Sequence, residues 1–204
     1  DPDARPSIQA LAVSHCASPW MADRLAFQLM PWTGKAEIDP LARERHYDHA
    51  DETDHPHHYR VQLDDGVVAE MTPTSRAAVF RFDFAATDTP DRGVILDQPG
   101  GGELTISRLN DGRISFTAFI DPPPDWEVDG RAPLAGYIYG ETRQPVEVLD
   151  VISREGIPEL PGTLGRAITR HWPRWARVKM RRRQAGAVRL TTGDTLEVVL
   201  ASSQ

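Results

Sequence analysis

Residues His49–Phe84 read HADETDHPHHYRVQLDDGVVAEMTPTSRAAVFRFDF, and this stretch decides the fold. Inside it, Tyr59, Val61 and Leu63 alternate with polar residues, and Asp64-Asp65-Gly66 follows directly. Alternation with a period of two indicates a strand with one buried face, and Asp-Gly between two such runs favours a hairpin turn. The stretch therefore predicts antiparallel strands joined by tight turns.

A stripe of phenylalanines closes the same stretch. Phe80, Phe82 and Phe84 alternate with Arg81 and Asp83, so the three rings share one face of a strand. We interpret this stripe as part of the hydrophobic core and not as a binding surface, because buried aromatic side chains supply much of the apolar area of a core.

Strand-like segments separated by turn residues continue to the end of the chain. Asn110-Asp111-Gly112 joins Glu103–Leu109 to Arg113–Ile120, and Thr192-Gly193-Asp194 marks a last hairpin. With about ten to fourteen short strands and almost no helix, the sequence predicts an all-β fold, a large antiparallel sandwich. We find no internal repeat and no domain boundary, so residues 1–204 are expected to form a single domain.

The segment before the opening stretch carries less information. An apolar run over Leu25–Met30 is expected to end at Pro31, because proline cannot donate a hydrogen bond to a strand ladder. Residues 32–45 follow as a charged connection.

Composition places the chain among soluble globular proteins. Charged residues make up 26% and hydrophobic residues 40% of its 204 positions, which fits neither a disordered chain nor a membrane protein. No apolar run approaches the roughly 18 residues that a membrane span needs, so no span is expected. The single cysteine, Cys16, cannot form an internal disulfide bond, so cysteine usage does not identify a compartment.

A basic run near the C-terminus raises the question of nucleic-acid binding. Arg177–Arg183 follows Trp172 and Trp175, and basic and aromatic residues together are typical of single-strand binders. The net charge of the whole chain is −7, however, and no nucleic-acid motif accompanies the run. We therefore predict no nucleic-acid partner and interpret the segment as an excursion that packs its tryptophans on a sheet edge.

A cluster of histidines and acids opens the deciding stretch and suggests a metal site, since imidazole and carboxylate are common ligands. The histidines are His46, His49, His55, His57 and His58. Their spacing matches no metal motif, and Pro56 makes the local chain extended. We favour a polar segment at the entry of a strand, with one or two residues facing a ligand or a partner domain, and expect no metal in this chain.

The loop near the N-terminus combines His15, Trp20 and Asp23. A flat ring can pack on the apolar face of a sugar while the imidazole and carboxylate bond its hydroxyls. The simpler interpretation is a tryptophan that plugs the end of the sandwich beside two loop hydrogen-bonding residues. Residue types alone favour the simpler interpretation.

No nucleophile elbow, phosphate-binding loop or dinucleotide fingerprint is present. Acidic pairs such as Asp51 and Glu52 are too frequent to single out the two carboxylates of a glycosidase. Residue types therefore lead no further than an all-β domain with carbohydrate binding as one option.

The order of four segments is more specific. They are SHCASPWMADRLAFQLMPWTG at Ser14–Gly34, the opening stretch, VILD at Val94–Asp97 and PLAGYIYGETRQPV at Pro133–Val146. In this order they resemble the N-terminal domain of glycoside hydrolase family 92, whose members are exo-acting α-mannosidases, mostly bacterial and exported. The His49–Phe84 segment is the most specific part of the resemblance.

The resemblance implies a β-supersandwich similar to galactose mutarotase, packed against a C-terminal (α/α)6 catalytic domain that this chain lacks. It implies inverting hydrolysis of mannosides, α-1,2-linked ones being expected, with the acid, base and calcium-binding groups in the catalytic domain. The chain alone is then expected to be inactive. Its expected partners are that catalytic domain and a mannose-containing glycan, in the periplasm or outside a bacterial cell.

By the same resemblance, Trp20 is expected to form a wall of the sugar pocket, with His15 and Asp23 as polar contacts. Cys16 and the residues around Ala22 depart from the family pattern, so substrate preference is expected to differ. Residues 49–52 are expected to face the absent domain. The alternative is a free-standing carbohydrate-binding sandwich without catalytic activity.

Overall fold

The computed structural model describes residues 5–13, 27–98, 102–120, 136–154 and 183–203. Within these ranges the chain forms strands and no helix. The strands are β1 (Ser7–Ile8), β2 (Leu11–Val13), β3 (Phe27–Thr33), β4 (Arg45–His55), β5 (His58–Leu63), β6 (Val68–Pro73), β7 (Ala77–Asp83), β8 (Arg92–Gln98), β9 (Gly102–Arg108), β10 (Ile114–Ile120), β11 (Gly136–Thr142), β12 (Val146–Arg154), β13 (Arg183–Leu190) and β14 (Thr195–Ser203).

These strands form two sheets. The large sheet has nine strands in the order β1-β4-β5-β6-β7-β14-β11-β10-β9, and the small sheet has five in the order β12-β13-β8-β3-β2. The paired strands run antiparallel in both sheets. The predicted all-β antiparallel sandwich is confirmed.

The core lies between the sheets and is built by the predicted alternation. Phe80, Phe82 and Phe84 are fully buried, which confirms the aromatic stripe as core. Across the sandwich, Phe27 of β3 stacks on Phe116 of β10 with 5.4 Å between ring centroids. Fully burying one such side chain contributes roughly 1.5–3 kcal/mol, so these rings are a large part of what holds the sheets together.

The predicted hairpin turns are also confirmed. Gly66 has a φ of 87° and Gly112 a φ of 83°, the left-handed region that glycine enters without a steric penalty. The first turn is closed by the amide of Leu63, which donates to the carbonyl of Val67 at 2.8 Å.

The predicted end of β3 is wrong. Pro31 pairs with Val94, and the strand continues to Thr33. On its other side β3 pairs with β2 only as far as Leu29, so Pro31 lies where that edge has no partner strand among the described residues and its missing N–H breaks no ladder there. Trp32, expected in a charged connection, is instead buried, and its Nε1 donates to the carbonyl of Val188 at 3.2 Å.

The last strand occupies the inside of the large sheet. β14 lies between β7 and β11, with Val198 opposite Phe80 in one neighbour and opposite Thr142 in the other. It therefore joins a half built from β1, β4, β5, β6 and β7 to a half built from β9, β10 and β11.

Candidate functional site

The two ends of the sandwich differ in the connections they carry. At one end, which we call the turn end, the chain crosses between strands at residues 34–44, 64–67, 84–91, 109–113, 143–145 and 191–194. Backbone hydrogen bonds close this end, for example from the amide of Gly34 to the carbonyl of Asp91 and from Phe84 to Asp194, both 2.7 Å.

Longer connections start and finish at the opposite end, which we call the connection end. The registers show this, since Val13 pairs with Phe27, and Arg154 with Arg183. In the large sheet, Ile120 pairs with both neighbouring strand ends. Residues 14–26, 121–135 and 155–182, and the short link 99–101, lie outside the described residues, and the strand ends on either side of each are at this end.

Side chains join the two sheets at the connection end. The Nε2 of Gln98, the last residue of β8, donates to the carbonyl of Phe119 in β10. The amide of Leu104 in β9 donates to the Oε1 of Gln184 in β13. These bonds tie the small sheet to the large one beside the points where the longer connections leave.

The predicted sugar-binding residues His15, Trp20 and Asp23 lie outside the described residues. The described residues on either side of them are Val13 of β2 and Phe27 of β3, which are directly paired at the connection end. Because this end gathers the long connections, and binding residues concentrate on loops that a rigid scaffold positions, we take it as the candidate functional site.

A bulge in β4 forms a polar cluster on the hairpin that reaches this end. Tyr47 pairs with Leu63 and Glu52 pairs with Val61, so the intervening residues of β4 bulge out of the ladder. The segment predicted to enter a strand is thus itself strand, with an irregular centre. Because Val61 and Leu63 face the core, their partners Glu52 and Tyr47 are on the inner side of the sheet.

Glu52 is the centre of this cluster. It lies 2.7 Å from the Nδ1 of His49 through one oxygen, and the hydroxyl of Tyr59 donates to the other at 2.8 Å. The ring of Tyr47 meets the His49 ring edge-on, with 5.6 Å between centroids. The residues expected to face a ligand or another domain are thus held in one orientation by their own contacts.

These contacts fix the ionisation of the cluster. The hydrogen bonds from His49 and then Tyr59 lower the pKa of Glu52 below its ordinary value. Burial, followed by the bond to Glu52, raises the pKa of Tyr59. At neutral pH the cluster therefore presents an ionised carboxylate that accepts hydrogen bonds, and Glu52 has no proton to give as a general acid.

The other histidines of the sequence cluster do not join this group. The rings of His55 and His57 stack with 5.8 Å between centroids, while the Nε2 of His58 lies 3.3 Å from Glu70. Among the residues that the structure describes, no three His, Cys, Asp or Glu side chains come together in a way that could hold a metal ion.

A buried ion pair that sequence reasoning missed joins residues 34–44 to the outer side of the small sheet. Nη2 of Arg43 is 2.8 Å from Oδ2 of Asp97 and 2.9 Å from Oε1 of Gln28, and both charged side chains are almost fully buried. Because Val94 and Leu96 face the core, Asp97 points to the other side of the small sheet. An aspartate ending the apolar run VILD was the available signal, since an acid in a buried strand needs a partner.

No helix in the described part of the chain has the length and apolar character to cross a membrane.

Comparisons with known proteins give a match to one protein family. The family model for the glycosyl hydrolase family 92 N-terminal domain matches residues 2–198. No curated protein matches the chain. Among solved structures, the fold is similar to that of an inverting mannosidase of family GH92 from Bacteroides thetaiotaomicron, with a TM-score of 0.58 and 20% identity over 87% of this chain and 21% of that chain.

Two further structures give the same result. A GH92 α-mannosidase from Bacteroides thetaiotaomicron in complex with mannoimidazole has a TM-score of 0.56 and 17% identity, over 88% of this chain and 23% of that chain. A glycosyl hydrolase of the GH92 family has a TM-score of 0.59 and 14% identity, over 88% of this chain and 23% of that chain. At such identities the likeness shows the fold alone, and this chain spans less than a quarter of each of those proteins.

Proposed function

This chain is a member of the family of glycosyl hydrolase family 92 N-terminal domains. We propose that it is part of a longer protein, an exo-α-mannosidase, in which it binds carbohydrate and helps to shape the sugar pocket. The observation that carries the proposal is the family match, which runs from the first residues of the chain into β14. The similar structures, two of them described as mannosidases, point to mannosides as the substrate class.

The proposed reaction is hydrolysis of a terminal α-mannoside, preferably α-1,2-linked, with inversion and with help from calcium. The general acid, general base and calcium ligands would come from a catalytic domain that follows this one. No group of three metal-ligating side chains lies among the described residues, so we assign no step through the metal to them. The domain by itself is expected to be inactive.

The role we assign to this chain is to complete the sugar pocket from the connection end. Trp20 would pack its ring on the apolar face of the sugar, with His15 and Asp23 bonding hydroxyls. The Glu52 cluster lies on a hairpin directed to the same end and offers an ionised acceptor to a sugar or to the catalytic domain. We propose export from a bacterial cell, to the periplasm or beyond, as the setting.

Mannobiose hydrolysis by the full-length protein tests the proposal. We expect product with an inverted anomeric centre, loss of activity when a chelator removes calcium, and recovery when calcium is restored. The isolated 204-residue domain is the matched control and should release no mannose. A full-length protein that leaves mannobiose intact under every condition would contradict the proposed reaction.

A single substitution tests the pocket assignment. Trp20→Ala in the full-length protein should lower kcat/KM for mannobiose at least about tenfold, which corresponds to about 1.4 kcal/mol of transition-state stabilisation. The control is Val79→Ala, an exposed residue on the outer side of β7, which should leave kinetics unchanged. Unchanged kinetics in Trp20→Ala, with an unchanged thermal midpoint, would remove Trp20 from the pocket.

The alternative function is that of a free-standing carbohydrate-binding sandwich. Reading the coding sequence beyond Gln204 separates the two. Several hundred further residues with helical periodicity support the mannosidase, whereas a stop codon directly after Gln204 supports the free-standing module.

A further inference from the structure

The outer side of the large sheet carries an aromatic surface that the proposed pocket does not use. Strands β10 and β11 place three directly opposed pairs there: Phe119 with Tyr137, Thr117 with Tyr139, and Ser115 with Glu141. The alternate residues of these strands, such as Ile138 and Ala118, are buried in the core. The paired residues therefore form one continuous strip on the opposite face, which we call the Tyr137–Glu141 strip.

The aromatic rings of the strip are open to solvent. Tyr137 is 57% exposed and Tyr139 46% exposed, while Phe119 beside them is partly buried. The rings of Phe119 and Tyr137 lie 4.9 Å apart at 45° to each other. Exposed large apolar side chains grouped on one face indicate a binding surface more than scattered single ones do.

The neighbours of Tyr139 leave its ring accessible. It pairs with Thr117 on one side and with Ala201 of β14 on the other, and both are small. Successive outward residues of a strand are about 7 Å apart, so Tyr137 and Tyr139 lie side by side along the Tyr137–Glu141 strip.

Polar side chains held by hydrogen bonds and ion pairs lie beside the tyrosine rings of this strip. The hydroxyl of Tyr139 donates to Glu141, and the second oxygen of that carboxylate lies 3.4 Å from Nη1 of Arg113. Arg113 is itself held by Asp111, with 2.6 Å between Nε and Oδ2. Apolar rings beside an oriented carboxylate and guanidinium match a sugar chain, which has apolar C–H faces and hydroxyls that both donate and accept.

A protein partner fits this strip less well. Three aromatic side chains offer at most about 750 Å² even if fully exposed, and the two tyrosines here are only about half exposed, whereas a stable protein interface buries roughly 800 Å² on each partner. The centre of such an interface is also depleted of acidic residues, while the carboxylate of Glu141 here directly adjoins the ring of Tyr139.

We propose that the Tyr137–Glu141 strip is a second carbohydrate-binding surface, which holds a mannose-containing polysaccharide on the outside of the sandwich. The identity of the sugar rests on the proposed function, whereas the surface itself rests on its exposed rings and polar border. It lies on the outer side of the large sheet, away from the core, so it would bind a long glycan without filling the pocket at the connection end.

Binding of a soluble α-mannan to the full-length protein tests this surface. The variant is Tyr137→Thr combined with Tyr139→Thr, which removes both rings and keeps residues that favour strands. We expect mannan affinity, measured by calorimetry, to fall at least about tenfold, or about 1.4 kcal/mol. Mannobiose hydrolysis should be unchanged. The matched control is Val79→Thr on the same side of the sheet, which should retain full affinity.

The outcomes are separable. Unchanged mannan affinity in the double variant overturns the proposal. If the thermal midpoint also falls while the affinity is unchanged, the tyrosines contact another part of the protein and not a sugar. If the double variant does not fold, the single variant Tyr137→Thr decides by the same two readouts. Mannan binding that requires the tyrosines, in a protein that does not hydrolyse mannobiose, would support the surface while rejecting the proposed reaction.

Discussion

The turn end and the connection end of the sandwich are held by different forces. At the turn end, neighbouring strands are closed by backbone hydrogen bonds and by glycines in left-handed conformations, such as Gly66 and Gly193. At the connection end, the side chains of Gln98 and Gln184 hold the two sheets together. The bonds that close the turn end thus use backbone atoms, whereas the bonds between the sheets at the connection end depend on side chains.

This difference explains why the candidate site is at the connection end. Tight turns leave little chain with which to build a binding surface. Long connections resting on a rigid sheet edge can carry varied residues without altering the core. Substitutions in the two regions test how each is stabilised.

The largest effect is expected at the buried ion pair. Asp97→Ala would leave the guanidinium of Arg43 buried without its carboxylate, which should lower the free energy of unfolding by about 3–5 kcal/mol. The turn-end control is Asp91→Ala, which breaks an exposed pair with Arg189 and should cost at most about 1 kcal/mol. Denaturant unfolding measures both. Equal losses would show that burial of the Arg43–Asp97 pair does not increase its contribution to stability.

A smaller effect is expected at the turn end itself. A Cβ at Gly66 would lie 2.9 Å from the carbonyl oxygen of Ala86, and its φ of 87° is unfavourable for other residues. Gly193 has a similar φ of 75° but nothing within 4 Å of its Cβ position. Gly193→Ala should cost about 1 kcal/mol from backbone conformation alone, and Gly66→Ala should cost more. The difference between the thermal midpoints of the two variants measures the cost of the steric clash with Ala86. Identical midpoints would mean that the turn at Gly66 shifts enough to avoid this clash.

The smallest effect is expected at the polar cluster and depends on pH. Because the pKa of Glu52 is below its ordinary value of 4.5, its stabilising contribution is complete above that value and is lost as pH falls through the folded-state pKa. Glu52→Gln should therefore lower stability by about 0.5–1 kcal/mol near pH 7, and this loss should shrink as the pH falls below 4.5. The partly exposed pair of His58 and Glu70 provides the control, Glu70→Gln. A pH-independent loss in Glu52→Gln would indicate a packing effect and not an ionic one.

The sequence predicted what is local. Alternation around Tyr59 and Phe82, and the turns at Gly66 and Gly112, depend only on neighbouring residues, and the structure confirms them.

What the sequence could not predict depends on distant partners. Arg43 lies in what reads as a charged connection, and only the fold brings Asp97 beside it. β4 is polar on both faces around its bulge, so no period of two announced it as a strand. His15, Trp20 and Asp23 lie in a stretch of sequence without periodicity and outside the described residues, so their assignment to the pocket depends on the family resemblance and stays a prediction.

The place of β14 has a consequence for how the chain is made. Ribosomal synthesis produces β1 to β13 first, and until β14 emerges the large sheet remains as two separate halves whose edges at β7 and β11 are open. Open strand edges recruit other chains, so a nascent or truncated chain ending before Thr195 should aggregate or require a chaperone. β14 thus joins the two halves of the large sheet, and the domain reaches its native state only after β14 has been synthesised.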